Sequence, residues 1–119
     1  MMTQADDDRS SKDPKAMTRL VNKLTKEVLW IYILRLLQER PLYGYEIKEL
    51  VTKRFGFSPA VVSGYAIIYR LTKDGLIQGQ TSSDSTRKYY EITEKGREAM
   101  QMAKQFLSTT ISSVFDLTE

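Results

Sequence analysis

Cysteine and histidine are both missing from the 119 residues. Their absence excludes disulfides, thiol nucleophiles, imidazole bases and the usual zinc ligands. Glycine occurs six times and proline three times, so each is read as punctuation rather than background. No long hydrophobic run exists: VLWIYIL (Val28–Leu34) is the main one and Arg35 interrupts it, far short of a bilayer span. The opening MMTQADDDRSSKDPK is polar and acidic, unlike a signal peptide. No EF-hand pattern or glycine-rich phosphate loop is present. Acid–base chemistry would fall to carboxylates, tyrosine and lysine, and no pair of them has a telling spacing. The expectation is a cytoplasmic protein with no cofactor, no metal and no membrane association, and not an enzyme.

Charge is mildly one-sided. Lys and Arg number 18 against 15 Asp and Glu, a net +3. Four of the acids, Asp6, Asp7, Asp8 and Asp13, lie in the first fifteen residues, leaving a more basic body that fits a polyanionic partner.

Residues 1–15 lack apolar periodicity and are expected to form a disordered tail; 16–119 are read as one domain. Leu20, Leu24, Val28, Ile31 and Leu34 recur at three- and four-residue steps, which predicts a helix from Ala16 or Thr18 to Glu39. Around Trp30 it is apolar nearly all round, so it should be buried on several sides, one of them against a second subunit. Arg40-Pro41 ends it. A second helix is expected over Tyr43–Phe55, with Gly56 as its C-cap. A third should run from Pro59 to Asp74, with Ser58 as N-cap and Pro59 in the first turn. Its inward stripe is Val61, Tyr65, Ile68 and Leu71 or Thr72, and Gly75 stops it. Leu76–Gln80 and Arg87–Thr93 read as two strands around the polar loop TSSDST. On the return strand Tyr90 and Ile92 should face the core and Tyr89 solvent. Thr93 caps a last helix over 94–115, striped by Met100, Ala103, Leu107, Ile111 and Val114.

This order predicts a mainly α fold with a small β-hairpin: a winged helix-turn-helix over 41–93, flanked by N- and C-terminal dimerisation helices. Such a unit presents one helix to a DNA groove and a hairpin to the neighbouring backbone.

Three segments also carry a family likeness. PLYGYEI (Pro41–Ile47), RLTKDGLI (Arg70–Ile77) and RKYYEITEKG (Arg87–Gly96), in that order, make residues from about Val28 to Ala103 resemble the PadR-like winged-helix transcriptional regulators. The resemblance implies double-stranded DNA as partner and a homodimer in which the C-terminal helix of one subunit meets the N-terminal helix of the other. It further implies a repressor and, in some members, a small aromatic or lipophilic effector. The alternative is a winged-helix protein–protein interaction module that does not bind DNA.

Candidate DNA contacts on the third helix are Ser63, Gly64, Tyr65, Ile67, Tyr69, Arg70 and Lys73. Ser63 and Gly64 are small enough for close approach, and Arg70 suits guanine or phosphate. Tyr43 and Tyr45 flank Gly44 at a helix start, where free N–H groups favour a phosphate. Arg87 and Lys88 stand at the base of the wing. Trp30, Tyr32, Met100, Met102 and Phe106 form either plain dimer core or a pocket for a flat apolar effector. The bland counterparts are ordinary: Ile67 and Tyr69 as packing residues, Arg70 and Arg87 as solvated charges.

Overall fold

A computed structural model describes residues 12–81, 83 and 87–116, with only the backbone at 61 and 62. Most of the expected tail and most of the TSSDST wing tip lie outside the described residues. The elements run α1 (Lys15–Thr25), α2 (Leu29–Glu39), β1 (Leu42–Tyr43), α3 (Gly44–Phe55), α4 (Val61–Lys73), β2 (Ile77–Thr81), β3 (Lys88–Ile92) and α5 (Glu94–Phe115). The three strands form one antiparallel sheet in the order β1-β3-β2. Its register pairs Leu42 with Tyr90, Tyr43 with Tyr89, and Ile77 with Ile92.

Helix α2 is the centre of the core. Leu29, Ile33, Leu34, Leu36 and Leu37 are buried, as expected of a helix apolar on several faces. Ile47 and Val51 of α3, Ile68 and Leu71 of α4, Ile77 of β2 and Ile92 of β3 close around it. Glycine sets two of the turns. Gly56 and Gly75 sit at φ of 83° and 80°, the left-handed region that a side chain disfavours.

The first helix is not continuous. Residues 26–28 form a turn, with Val28 at φ −118° and ψ 38°. Neither proline nor glycine marks the break. Thr25 donates its hydroxyl to the Val21 carbonyl at 2.8 Å, back-bonding of the kind that bends helices. The Tyr32 hydroxyl donates to the Leu24 carbonyl at 2.6 Å. In a straight helix those residues would be about 12 Å apart along the axis, so this bond requires the bend. Burial of the phenol raises the Tyr32 pKa. Its ring also packs edge-on against Phe55 and Phe57, each 5.0 Å between centroids.

The start of α4 is a second correction. Ser58 does not cap it: its hydroxyl pairs with that of Thr52 at 3.2 Å. Pro59 is buried and precedes the helix. Ala60 is the N-cap, with its carbonyl accepting the Gly64 amide at 2.8 Å. The apolar turn residues Phe57 and Pro59 are drawn into the core, which delays the helix by two residues. Strand β1 is an element the sequence reading does not contain; it forms because Leu42 and Tyr43 find β3 across about 47 residues of chain.

The last helix agrees with expectation. It spans Glu94–Phe115, and the Thr93 hydroxyl accepts the Gly96 amide at 3.1 Å. Its far half is uncovered: Ile111, Val114 and Phe115 are exposed. Among the described residues, no helix is long and apolar enough to cross a membrane.

Candidate nucleic-acid interface

The site grows from the start of α3. Tyr43 is its N-cap, and the Tyr43 amide donates to Glu46 Oε1 at 2.9 Å. Arg40 approaches the other Glu46 oxygen at 3.6 Å. This fixes the entry angle of the chain and the direction of the Tyr43 ring. Tyr43 stacks on Tyr45 with centroids 5.8 Å apart and planes 9° from parallel. Tyr89 meets Tyr43 edge-on at 6.1 Å, a consequence of their pairing across β1 and β3. Arg87 then covers both stacked rings, with its guanidinium carbon 5.0 Å from the Tyr43 centroid and 5.6 Å from Tyr45. One nitrogen reaches the Tyr45 hydroxyl at 3.5 Å. A cation held over π faces is positioned without losing its charge.

Helix α4 lies next to this cluster. A Cβ placed on Gly44 would stand 3.6 Å from the Tyr65 ring and 3.6 Å from the Tyr90 ring. The Tyr65 ring of α4 and the Tyr90 ring of β3 thus both pack close to the start of α3. A cavity of about 270 Å³ separates α2, α3 and α4, and Leu29, Tyr45, Gly64, Tyr65 and Ile68 contribute to its wall. Nothing lies within 4 Å of a Cβ built on Gly64. Packing therefore does not demand glycine there, and the missing Cβ leaves open space beside the cavity that Gly64 lines.

The expected contact residues separate into two groups. Tyr45, Ser63, Tyr65, Tyr69, Arg70, Lys73, Arg87 and Lys88 are exposed. Lys73 sits over the Tyr69 ring at 5.8 Å. Tyr43 and Gly64 are half-buried. Tyr65 departs from the inward stripe assigned to it: 55% of it is exposed. Ile67 departs the other way, packing partly against the core. The core face of α4 is set by Ile68 and Leu71, both buried. Tyr89 and Tyr90 are both half-buried rather than opposed in exposure; Tyr43 of β1, paired with Tyr89 across the sheet edge, packs its ring edge-on against it. Sequence reasoning missed the joining of Tyr43, Tyr45, Tyr89 and Arg87 into one cluster. Pro41 before a two-residue apolar segment is the only signal that pointed to β1.

Residues 33–102 match the PadR-like family of transcriptional regulators. The chain belongs to this family. A PadR-like regulator of Bacillus cereus is 34% identical, with a TM-score of 0.57 over 77% of this chain and 95% of that one. An uncharacterised protein of Lysinibacillus sphaericus is 33% identical over 91 residues, 71% of this chain and 82% of that protein. The structure of Bacillus subtilis PadR in complex with operator DNA is 29% identical at a TM-score of 0.57. That match takes in 62% of this chain and only 45% of the Bacillus subtilis protein. The winged-helix fold of this PadR-like chain is thus built from α2, α3, α4 and the three-stranded sheet and is shared with the solved structures it matches.

A second feature of this PadR-like regulator lies on the other side of α2. Leu24, Val28, Trp30 and Tyr32 face Met102, Ala103 and Phe106 of α5 across an open apolar groove of about 720 Å³. Four of the five residues expected there are brought together. Met100 is the exception and packs against the core instead, being on the inner side of α5. Met102 and Phe106 are 72% and 69% exposed, more than isolated apolar side chains on a monomer require.

Proposed function

We propose that the chain is a homodimeric repressor that binds double-stranded DNA, with α4 in the major groove and the wing base on the backbone. The observation that carries this reading is the Tyr43–Tyr45–Arg87 cluster beside α4. It supplies hydroxyl donors, a helix N-terminus and a held cation next to the exposed Ser63, Tyr69 and Arg70. Phosphate contacts of this kind orient a protein on the duplex, while Arg70 suits a base edge. Lys88 and Lys73 extend the positive surface. Two such units related by a two-fold axis would meet half-sites about one DNA turn apart.

Pairing is supported by the uncovered apolar side of α5 and the groove at Trp30, which suits the partner's α5. A flat apolar effector is the second occupant this groove fits, given its near-absence of polar lining. Such a regulator works in the cytoplasm.

The test is binding to the promoter region of the chain's own gene across a salt series. Affinity should fall steeply with salt. Arg70→Ala should cost about 1–3 kcal/mol if the contact is to a base. Absence of any shift at low salt would reject DNA binding. A stable non-self protein partner recovered by pull-down would then favour the protein–protein module.

A further inference from the structure

Helix α1 lies outside the residues that match the family, and its charge is unlike that of the rest of the chain. Between Lys15 and Lys26 there are four basic residues, Lys15, Arg19, Lys23 and Lys26, and no acid. Their spacing of four, four and three places them within about 80° of the helix circumference. All four are exposed, whereas Met17 and Val21 are half-buried and Thr25 is buried. The helix therefore turns one side to the body and an unbroken basic stripe outward. Glu27 follows just beyond it and approaches Lys23 at 3.7 Å, with both side chains largely in solvent.

The position of α1 gives the stripe a direction. Its C-terminal end is tied to α2 by the bond from Tyr32 to the Leu24 carbonyl. Leu29, the first residue of α2, shares a cavity wall with Tyr45, Gly64 and Tyr65. Lys26 is three residues before it. The C-terminal end of the stripe thus lies close in sequence to a wall that α4 shares. A surface of four like charges, one of them facing Glu27, complements a regularly spaced polyanion.

We infer that the basic stripe of α1 is a second phosphate-binding surface that grips duplex flanking the segment met by α4. The inference rests on the DNA-binding reading above. A surface of this kind adds affinity and salt dependence without adding sequence preference.

The experiment uses the full chain and a mixed-sequence duplex of about 40 bp, since backbone binding needs no operator. Fluorescence anisotropy over a salt series compares the unaltered protein with Arg19→Gln/Lys26→Gln. A control, Arg97→Gln/Lys104→Gln, removes the same charge from α5. Glutamine matches lysine and arginine in helix propensity, so both helices persist. The α1 variant should lower the slope of log K against log salt by about 0.9 for each phosphate it no longer neutralises, and affinity by on the order of tenfold. The control should parallel the unaltered protein.

Equal slopes for all three proteins would overturn the inference and leave DNA binding by α4 standing. Failure of the unaltered protein to bind the duplex at low salt would overturn both. Binding to phosphatidylserine vesicles that only the α1 variant loses, with duplex slopes unchanged, would overturn it in favour of a lipid surface.

Discussion

The Arg87 guanidinium lies over the ring of Tyr43, 5.0 Å from its centroid, although the two residues are 44 apart in sequence. This contact joins the base of the wing to the start of α3. It makes the wing and the helix-turn-helix one surface rather than two. Arg87→Ala should lower stability by about 0.5–1 kcal/mol and weaken duplex binding. Arg87→Lys separates two roles, because lysine keeps the charge but not the planar stack. If the arginine positions the tyrosines, lysine will not restore affinity in an anisotropy titration. Full recovery would reduce Arg87 to a point charge.

Two glycines should respond in opposite ways to alanine. Gly64 has open space around its missing Cβ and lies inside α4. Gly64→Ala should therefore stabilise the helix by about 0.5–1 kcal/mol while weakening DNA binding, if the duplex approaches that backbone. Gly96 faces the Leu76 carbonyl and the Ile92 side chain so closely that a Cβ would collide with both. Gly96→Ala should cost about 1–3 kcal/mol. Thermal unfolding of the pair reads both changes; a stabilised Gly96→Ala protein would contradict the packing described.

Acid should remove a specific tie between α2 and α3. Arg54 donates twice to Glu39, at 2.9 and 3.0 Å, and Arg35 approaches the same carboxylate at 3.3 Å. The hydrogen bonds from Arg54 come first in holding the Glu39 pKa below its ordinary value. A lowered folded-state pKa contributes stability above the ordinary carboxylate value and loses it as pH falls through the folded one. Glu39→Gln should thus be the less stable protein at neutral pH, with the two converging in acid. Because the groups are exposed, the difference should be small and shrink with salt. Denaturant midpoints over a pH series measure it.

Dimer formation should depend on Phe106. In one chain the residue is 69% exposed, so Phe106→Glu should change the stability of an isolated subunit by no more than about 0.5 kcal/mol. In a dimer it would bury a charge against apolar groups, which is strongly unfavourable. Sedimentation should find the unaltered chain dimeric and the variant monomeric. An unaltered chain that stays monomeric at micromolar concentration would remove the pairing proposed.

Local signals carried much of the architecture. Thr93 and the apolar stripe set α5 at 94–115, Gly56 and Gly75 end their helices, and alternation marks the two wing strands. These features depend on backbone conformation and on periodicity within a few residues, so one stretch of chain suffices to reveal them. The same is true of the exposed Tyr69 and Arg70.

Other features required distant parts of the chain. The bend at 26–28 needs Tyr32 to reach Leu24, and β1 exists only because β3 pairs with it. Phe57 and Pro59 are buried ahead of α4, and Tyr65 stands outward while Ile68 and Leu71 face the core. The kinds of elements and their order were legible in the chain, because propensity, capping and apolar period are local. The union of Tyr43, Tyr45, Tyr89 and Arg87 was not, because ring stacking and strand pairing act between residues the chain leaves far apart, and folding alone brings them together.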